Sequence, residues 1–208
     1  MNDVITPKAV VFDLGKVLVD FDYSIAARRI AARGKMSLME IAKYINQTPL
    51  FIHYESGRVT TEQFYNEIRS VTGFRGDQAE FGECFADIFV GIEPMIQLHA
   101  ALRQRGVPTF IFSNTNELAA EHIRRTFPFY GNFDGYVLSY EHGAMKPDAP
   151  LYEVVERMSG RRAGELLYLD DRPENVAAGA VRGWQVILQE TPEKSRAAVE
   201  KLGLLNHG

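Results

Sequence analysis

The stretch Ala9-Val10-Val11-Phe12-Asp13-Leu14-Gly15 decides the fold. Four apolar residues without polar alternation read as a strand buried on both faces, and the acidic residue after them marks its carboxyl end. The same pattern returns along the chain. Thr109-Phe110-Ile111-Phe112 stops at Ser113-Asn114, and Leu166-Leu167-Tyr168-Leu169 stops at Asp170-Asp171. Gly135-Tyr136-Val137-Leu138 and Trp184-Gln185-Val186-Ile187-Leu188 read as two more strands. Helical stripes separate them. Met95, Leu98 and Leu102 precede Gly106; Leu151, Val154, Val155 and Met158 run from Asp148 and Pro150 to Gly160; Val176, Ala177 and Ala180 precede Gly183. Strand, helix, strand in this rhythm predicts the α/β class with a doubly wound parallel sheet.

Residues 21–91 break the rhythm. Helical patterns follow one another over 25–32, 38–45, 60–71 and 77–90, with no strand between them, and Thr60 with Gln63 forms a capping box. Phe81, Cys84, Phe85 and Ile88 recur at i, i+3, i+4, i+7, which places the single cysteine in a helix core. An all-helical insertion over 21–91 is expected, with the α/β core formed by 1–20 and 92–208. Such an insertion, beginning just beyond the first strand, would roof any site built there.

A chain of 208 residues allows one to two domains. Thirteen Phe, nine Tyr and one Trp supply a real core and exclude disorder. With 23 basic and 27 acidic residues the net charge is −4, which offers no electrostatic footprint for nucleic acid or an anionic membrane. One cysteine rules out an internal disulfide, and the five histidines (His53, His99, His122, His142, His207) have no metal spacing. Residues 1–8 carry neither part of a secretory leader, and no apolar run reaches the length of a membrane span. A cytoplasmic protein, monomeric or weakly self-associating, is expected.

Ligands of open α/β sheets bind beyond the carboxyl ends of the strands. There the sequence presents Asp13, Ser113-Asn114 and Asp170-Asp171, while the loop Gly143-Ala144-Met145-Lys146-Pro147 delivers an ammonium. Three carboxylates sharing a small volume need a cation, so Mg²⁺ is implied. A lysine beside that metal suits an anion such as phosphate. Each of these elements alone is as often a turn former or helix cap; four in chain order are not.

With these motifs the chain resembles the haloacid dehalogenase-like hydrolases over nearly its whole length. They read Phe12-Asp13-Leu14-Gly15-Lys16-Val17-Leu18-Val19-Asp20, Phe112-Ser113-Asn114-Thr115-Asn116, Met145-Lys146-Pro147-Asp148 and Leu169-Asp170-Asp171-Arg172-Pro173-Glu174-Asn175. The helical insertion matches a type 1 cap on a Rossmann-like core. The segment His53-Tyr54-Glu55-Ser56-Gly57-Arg58-Val59-Thr60 is similar to the subgroup that includes α-glucose-1-phosphate phosphatase. The resemblance implies a phosphoric monoester hydrolase acting on small phosphorylated metabolites, sugar phosphates foremost. It implies Asp13 as the nucleophile that carries the phosphoryl group, and Ser113 and Asn114 as its binding residues. Lys146 would neutralise charge on both Asp13 and the phosphoryl group. Magnesium would be held by Asp13, the carbonyl of Gly15, and Asp170 with Asp171, of which Asp170 ranks first as the direct ligand. Glu55 and Arg58 would contact the leaving group, although an exposed Glu/Arg pair is also ordinary surface.

One departure matters. Phosphatases of the superfamily carry a second Asp two residues after the nucleophile as general acid and base, and here that position is Gly15. Good leaving groups, a proton from the cap or from water, or a weakened enzyme would each accommodate its loss. Lys16 is either solvated or phosphate-steering; Asp20 and Asp22 shape the turn into the insertion, and Asp20 could approach the cleft. Arg172 and Glu174 could support the acidic pair, and Trp184 belongs to the core. Three rivals stay open. A metal-independent 2-haloacid dehalogenase would have no use for the Asp170-Asp171 pair, a decayed binding or regulatory module would not need the catalytic groups, and phosphoryl transfer to an acceptor other than water would use the same motifs.

Overall fold

A computed structural model of the chain describes residues 5–205; His207 lies outside them. Five parallel strands form the main sheet in the order β5-β4-β1-β6-β7: β1 (Ala9–Phe12), β4 (Thr109–Ser113), β5 (Gly135–Leu138), β6 (Leu166–Asp170) and β7 (Gln185–Leu188). The doubly wound α/β reading is therefore correct. β1 is central, and each of its residues is fully buried. Its side chains alternate between two cores, as a pleat with helices on both faces requires. Val10 and Phe12 join Ile111, Leu167 and Leu169 against α6 (Glu93–Gln104), α7 (Glu117–Thr126) and α11 (Pro192–Lys201). Ala9 and Val11 join Phe110, Phe112, Leu166, Tyr168 and Trp184 against α9 (Ala149–Ser159).

Strand and helix ends correct several sequence expectations. Ser113 and Asp170 are the last residues of β4 and β6 rather than the first beyond them, and Trp184 precedes β7. On α10 (Pro173–Val181) the buried face is Asn175 and Gly179, whereas Ala177 and Ala180 are exposed. The sheet wants closeness there rather than apolarity: a Cβ at Gly179 would stand 3.1 Å from the Tyr168 ring.

Between β1 and β4 lie α1 (Tyr23–Ala32), α2 (Leu38–Gln47), α3 (Leu50–Glu55), α4 (Thr61–Thr72) and α5 (Gln78–Ala86). Each start is sequence-coded except that of α3. Asp22, Ser37, Thr60 and Asp77 cap the others, the last three as reciprocal capping boxes. Helix α3 escapes periodicity because it is six residues long and has no side-chain cap. The helix expected to run to residue 90 ends at Ala86; β3 (Phe89–Gly91) then pairs antiparallel with β2 (Val19–Phe21). Pairing the two chain crossings backbone to backbone outcompetes continued helix over an apolar run that suits either state.

The five helices share one aromatic core, in which Phe64, Phe81 and Phe85 contact one another, and Cys84 is buried in it as expected. Their packing leaves an apolar cavity of about 260 Å³.

Candidate active site

Three adjacent strands, β4, β1 and β6, bring Ser113, Asp13 and Asp170 together: Ser113 and Asp170 are the last residues of β4 and β6, and Asp13 is the first beyond β1. The sheet thus sets a hydroxyl and two carboxylates side by side at its carboxyl edge. Lys146 enters this row from the loop after α8 (Ser139–His142) and is 5% exposed. Its ammonium has three N–H groups and three partners: Asp170 Oδ2 at 2.6 Å, Phe112 O at 2.9 Å and Asp13 Oδ1 at 3.0 Å. Its influence on a ligand is therefore through charge.

Asp13 Oδ1 also accepts the Leu14 N–H at 2.6 Å, and Oδ2 takes no hydrogen bond from the described residues. Burial pushes the Asp13 carboxyl up, against the attraction of Lys146 and with the help of Asp170. Asp170 is held by more donors. Its carboxylate accepts from Lys146, Tyr168, the Arg172 N–H at 2.8 Å and Asn175 Nδ2 at 3.0 Å. Burial works against its ionisation, but Lys146 and these donors together keep it below the ordinary carboxylate range. Burial beside Asp170 and Asp13 keeps the Tyr168 phenol protonated, as a donor must be. Sequence reasoning gave Tyr168 and Asn175 no role. Tyr168 hides in an apolar strand, two residues before Asp170 on the same face; Asn175 lies in the first turn of α10, just beyond the end of β6, a position that could have been read.

Asn114 reaches the site, and its carboxamide also holds the 146 loop. Oδ1 accepts the Lys146 N–H at 2.7 Å and Nδ2 donates to the Lys146 carbonyl at 3.0 Å. Its side chain thus fastens the lysine's backbone with one N–H and one acceptor site. Ser113 is 3% exposed, and its hydroxyl makes one long contact, 3.4 Å, to the Asn114 carbonyl.

Above this row a small cavity of about 60 Å³ is walled by Gly15, Ser113 and Asn114 on the sheet side and by Tyr23 and Glu55 on the helical side. Gly57 fixes the end of α3 there. Its φ is +67°, and a Cβ would fall 2.1 Å from the Tyr140 carbonyl, so only glycine fits. The Ser139 hydroxyl donates to the Glu55 carbonyl at 2.6 Å. Burial raises the Glu55 carboxyl to about 7, with Arg172 partly opposing. Tyr23, unmarked in the sequence, places its hydroxyl beside Glu55 and Asn116.

Other expected residues lie elsewhere. Arg58 is exposed and lines a separate groove with His53, Gln63 and Asn66, because the Gly57 turn reverses the chain after Glu55. Lys16, with φ +58°, turns back to pair with Asp20 and donates to the Phe21 carbonyl at 3.0 Å, so neither it nor Asp20 joins the acidic row. Asp22 caps α1. Arg172 and Glu174 pair with each other at 2.5 Å in solvent; only the Arg172 backbone supports Asp170. His99 stacks on Phe133 at 3.9 Å in the core, and His122 packs beside Phe89.

The donor set fits a hard divalent cation. Asp13, Asp170 and Asp171 each offer an oxygen within 4.8 Å of the others, and burial together with Asp170 raises the Asp171 carboxyl. Three clustered carboxylates with one lysine leave negative charge that oxygen-bound Mg²⁺ would balance.

Residues 7–183 match the family model described as haloacid dehalogenase-like hydrolase. A sesquiterpene phosphatase of Aspergillus oryzae is 26% identical over 181 residues, 86% of this chain and 87% of that protein. D-ribitol-5-phosphate phosphatase of Bacteroides thetaiotaomicron is 22% identical over 189 residues, 88% and 92% of the two chains. The fold superposes on a HAD family enzyme from Bacteroides thetaiotaomicron, solved in complex with magnesium and inorganic phosphate. The TM-score is 0.77 at 23% identity, covering 87% of this chain and 93% of that one. No helix among the described residues is long and apolar enough to cross a membrane. From its four motifs, its parallel sheet and the match over residues 7–183, the chain belongs to the haloacid dehalogenase-like hydrolases.

Proposed function

We propose that the chain hydrolyses phosphate monoesters of small organic alcohols through an aspartyl-phosphate, with residues 21–91 as the cap over the site. The observation that carries this reading is Asp13: buried, held at Oδ1 by Lys146 and Leu14, and free at Oδ2 among the described residues. Oδ2 forms a bond to phosphorus as the ester P–O bond breaks, and water then cleaves the acyl phosphate to return the carboxylate and release phosphate. Lys146 opposes the burial that pushes the Asp13 carboxyl up, and it offsets charge on the transferring group. Ser113 donates its hydroxyl to a phosphoryl oxygen, while Asn114 holds the Lys146 backbone in place and keeps a second Nδ2 N–H for the phosphoryl group. Asp13, Asp170, Asp171 and the Gly15 carbonyl would hold magnesium, which supplies positive charge to orient the phosphoryl oxygens.

The leaving alkoxide needs a proton that Gly15 cannot give. Glu55 walls the same cavity and retains a proton near neutral pH, so it takes the general-acid role that the family's second Asp holds. The two named phosphatases agree on the phosphoryl group and differ in the alcohol, so a sugar phosphate is one class to test rather than a consequence of kinship. A dehalogenase reading leaves the third carboxylate without work.

Phosphate release from p-nitrophenyl phosphate tests the reading. We expect turnover with Mg²⁺, loss on chelation and restoration by added Mg²⁺. Folded Asp13→Asn protein should be inactive, because an amide is not a usable nucleophile. Turnover indifferent to chelation, or halide release from a 2-haloacid, refutes it.

A further inference from the structure

The apolar cavity of the helical segment is too large to be a packing defect and too clean to suit a polyol. Each of the five helices contributes to its wall, through Ala27, Ile41, Phe51, Ile68 and Phe85 among others. No charged side chain among the described residues lines it, and the Tyr44 hydroxyl at its edge is turned out to Glu67 at 2.9 Å. A sugar placed there would leave most of its hydroxyls without partners, since Tyr23, Tyr44 and Thr48 supply the only side-chain hydroxyls among the described residues of the wall.

Tyr23 stands between this cavity and the small one beside Gly15, Ser113 and Asn114, since it lines both. On one side it meets Phe51, ring centroids 5.0 Å apart, and on the other Phe21 at 5.3 Å. Its hydroxyl stands beside Glu55 and Asn116. The residue at the junction is thus polar at one edge and apolar over its face, matching a ligand that changes character at the same point.

We propose that the substrate is the phosphate monoester of an alcohol bearing an apolar hydrocarbon chain. Its phosphate lies at Asp13, and its chain passes Tyr23 into the cavity. The proposal rests on the phosphatase reading for the head group and on the cavity alone for the tail. A methylene occupies roughly the ~30 Å³ of a water molecule, so about 260 Å³ takes on the order of nine carbons.

Two series over one range of chain lengths test it: phosphate release from n-alkyl phosphates from ethyl to dodecyl, and calorimetric binding of the matching n-alkanols. Each buried methylene is worth about a fourfold gain. We expect kcat/KM and alkanol affinity to climb by about that factor per carbon and to level off near nine. Ala27→Leu adds three carbons to the wall and should bring the plateau in by about three. Ile68→Ala removes three and should move it out, and a general folding defect would not shift the two in opposite directions. If Ile68→Ala does not fold, Ala27→Leu alone decides the point. Absent phosphate release from every ester, with alkanol affinity still climbing to a plateau, sinks the phosphatase reading and upholds the cavity as a chain-binding site. Flat responses in both series overturn the proposal. So does a climb without a plateau that Ala27→Leu leaves unmoved, since the chain would then bind outside the cavity.

Discussion

Replacing Glu55 by glutamine should stabilise the protein in alkaline solution and leave it nearly unchanged in acid. The carboxyl is raised from 4.5 to about 7, chiefly by burial. The folded state therefore binds this proton more tightly than the unfolded chain does. Wild-type stability from this group is fully present below the unfolded value, declines as the pH rises through about 7, and stays lost above it. A tenfold change in proton affinity is worth about 1.4 kcal/mol, which makes the full loss about 3.5 kcal/mol. Glu55 is partly exposed, and solvent screening lowers the expected value to about 1.5–3 kcal/mol. A neutral carboxamide avoids this cost, while the backbone at this position remains pinned by the Ser139 hydroxyl. Urea titrations of both proteins at pH 5 and pH 8.5, without metal, give the difference directly. The advantage of Glu55→Gln should be below about 1 kcal/mol at pH 5 and reach its full value at pH 8.5. An advantage that does not vary with pH would mean that Glu55 ionises as freely in the fold as in solution, and its assignment as an acid would fall with it.

In the same variant, turnover of alkyl phosphates should drop by about 10²–10⁴-fold, and that of p-nitrophenyl phosphate far less, because its leaving group needs no proton; equal losses on both would count against Glu55 as the donor. Lys146→Met leaves Asp13 and Asp170 buried without their cation and should cost about 3–5 kcal/mol by denaturant unfolding in chelator, part of which Asp13→Asn restores in the double variant; a loss below about 0.5 kcal/mol, on the order of a neutral surface change, would show the ion pairs to be screened. At Gly15 a Cβ would meet the Phe21 ring at 2.8 Å. Gly15→Asp should therefore lose about 1–3 kcal/mol of stability, recovered in part by Phe21→Ala, and additive losses in the two-site variant would place the clash elsewhere.

The sequence showed what repeats and what is short. Apolar runs ending in Asp13, Ser113 and Asp170 revealed both the sheet and its functional edge, because burial on two faces removes the polar alternation that would blur them. Capped helices such as α4 were equally plain. What escaped depended on contacts between distant segments. The β2–β3 ribbon joins residues about 70 positions apart, at a point where neither half is distinctive alone. Helix α3 is too short to show a period. The resemblance implies Asn114 as a phosphoryl-binding residue, and only the arrangement of the 146 loop adds that its carboxamide also holds the Lys146 backbone. Arg58 went astray for a local reason, the reversal at Gly57.

The paired hydrogen bonds between the Asn114 carboxamide and the Lys146 backbone have a consequence for how the site is indexed. The chain delivers Lys146 from β5, at the edge of the sheet, through a short helix and a turn. The lysine is nevertheless located by the end of β4, one strand closer to Asp13. Its ammonium therefore inherits the stiffness of the sheet's interior and not the play of its rim. Residues added or removed in the turn at 143–145 change the slack in the path without moving the charge, as long as one amide keeps both its donor and its acceptor engaged.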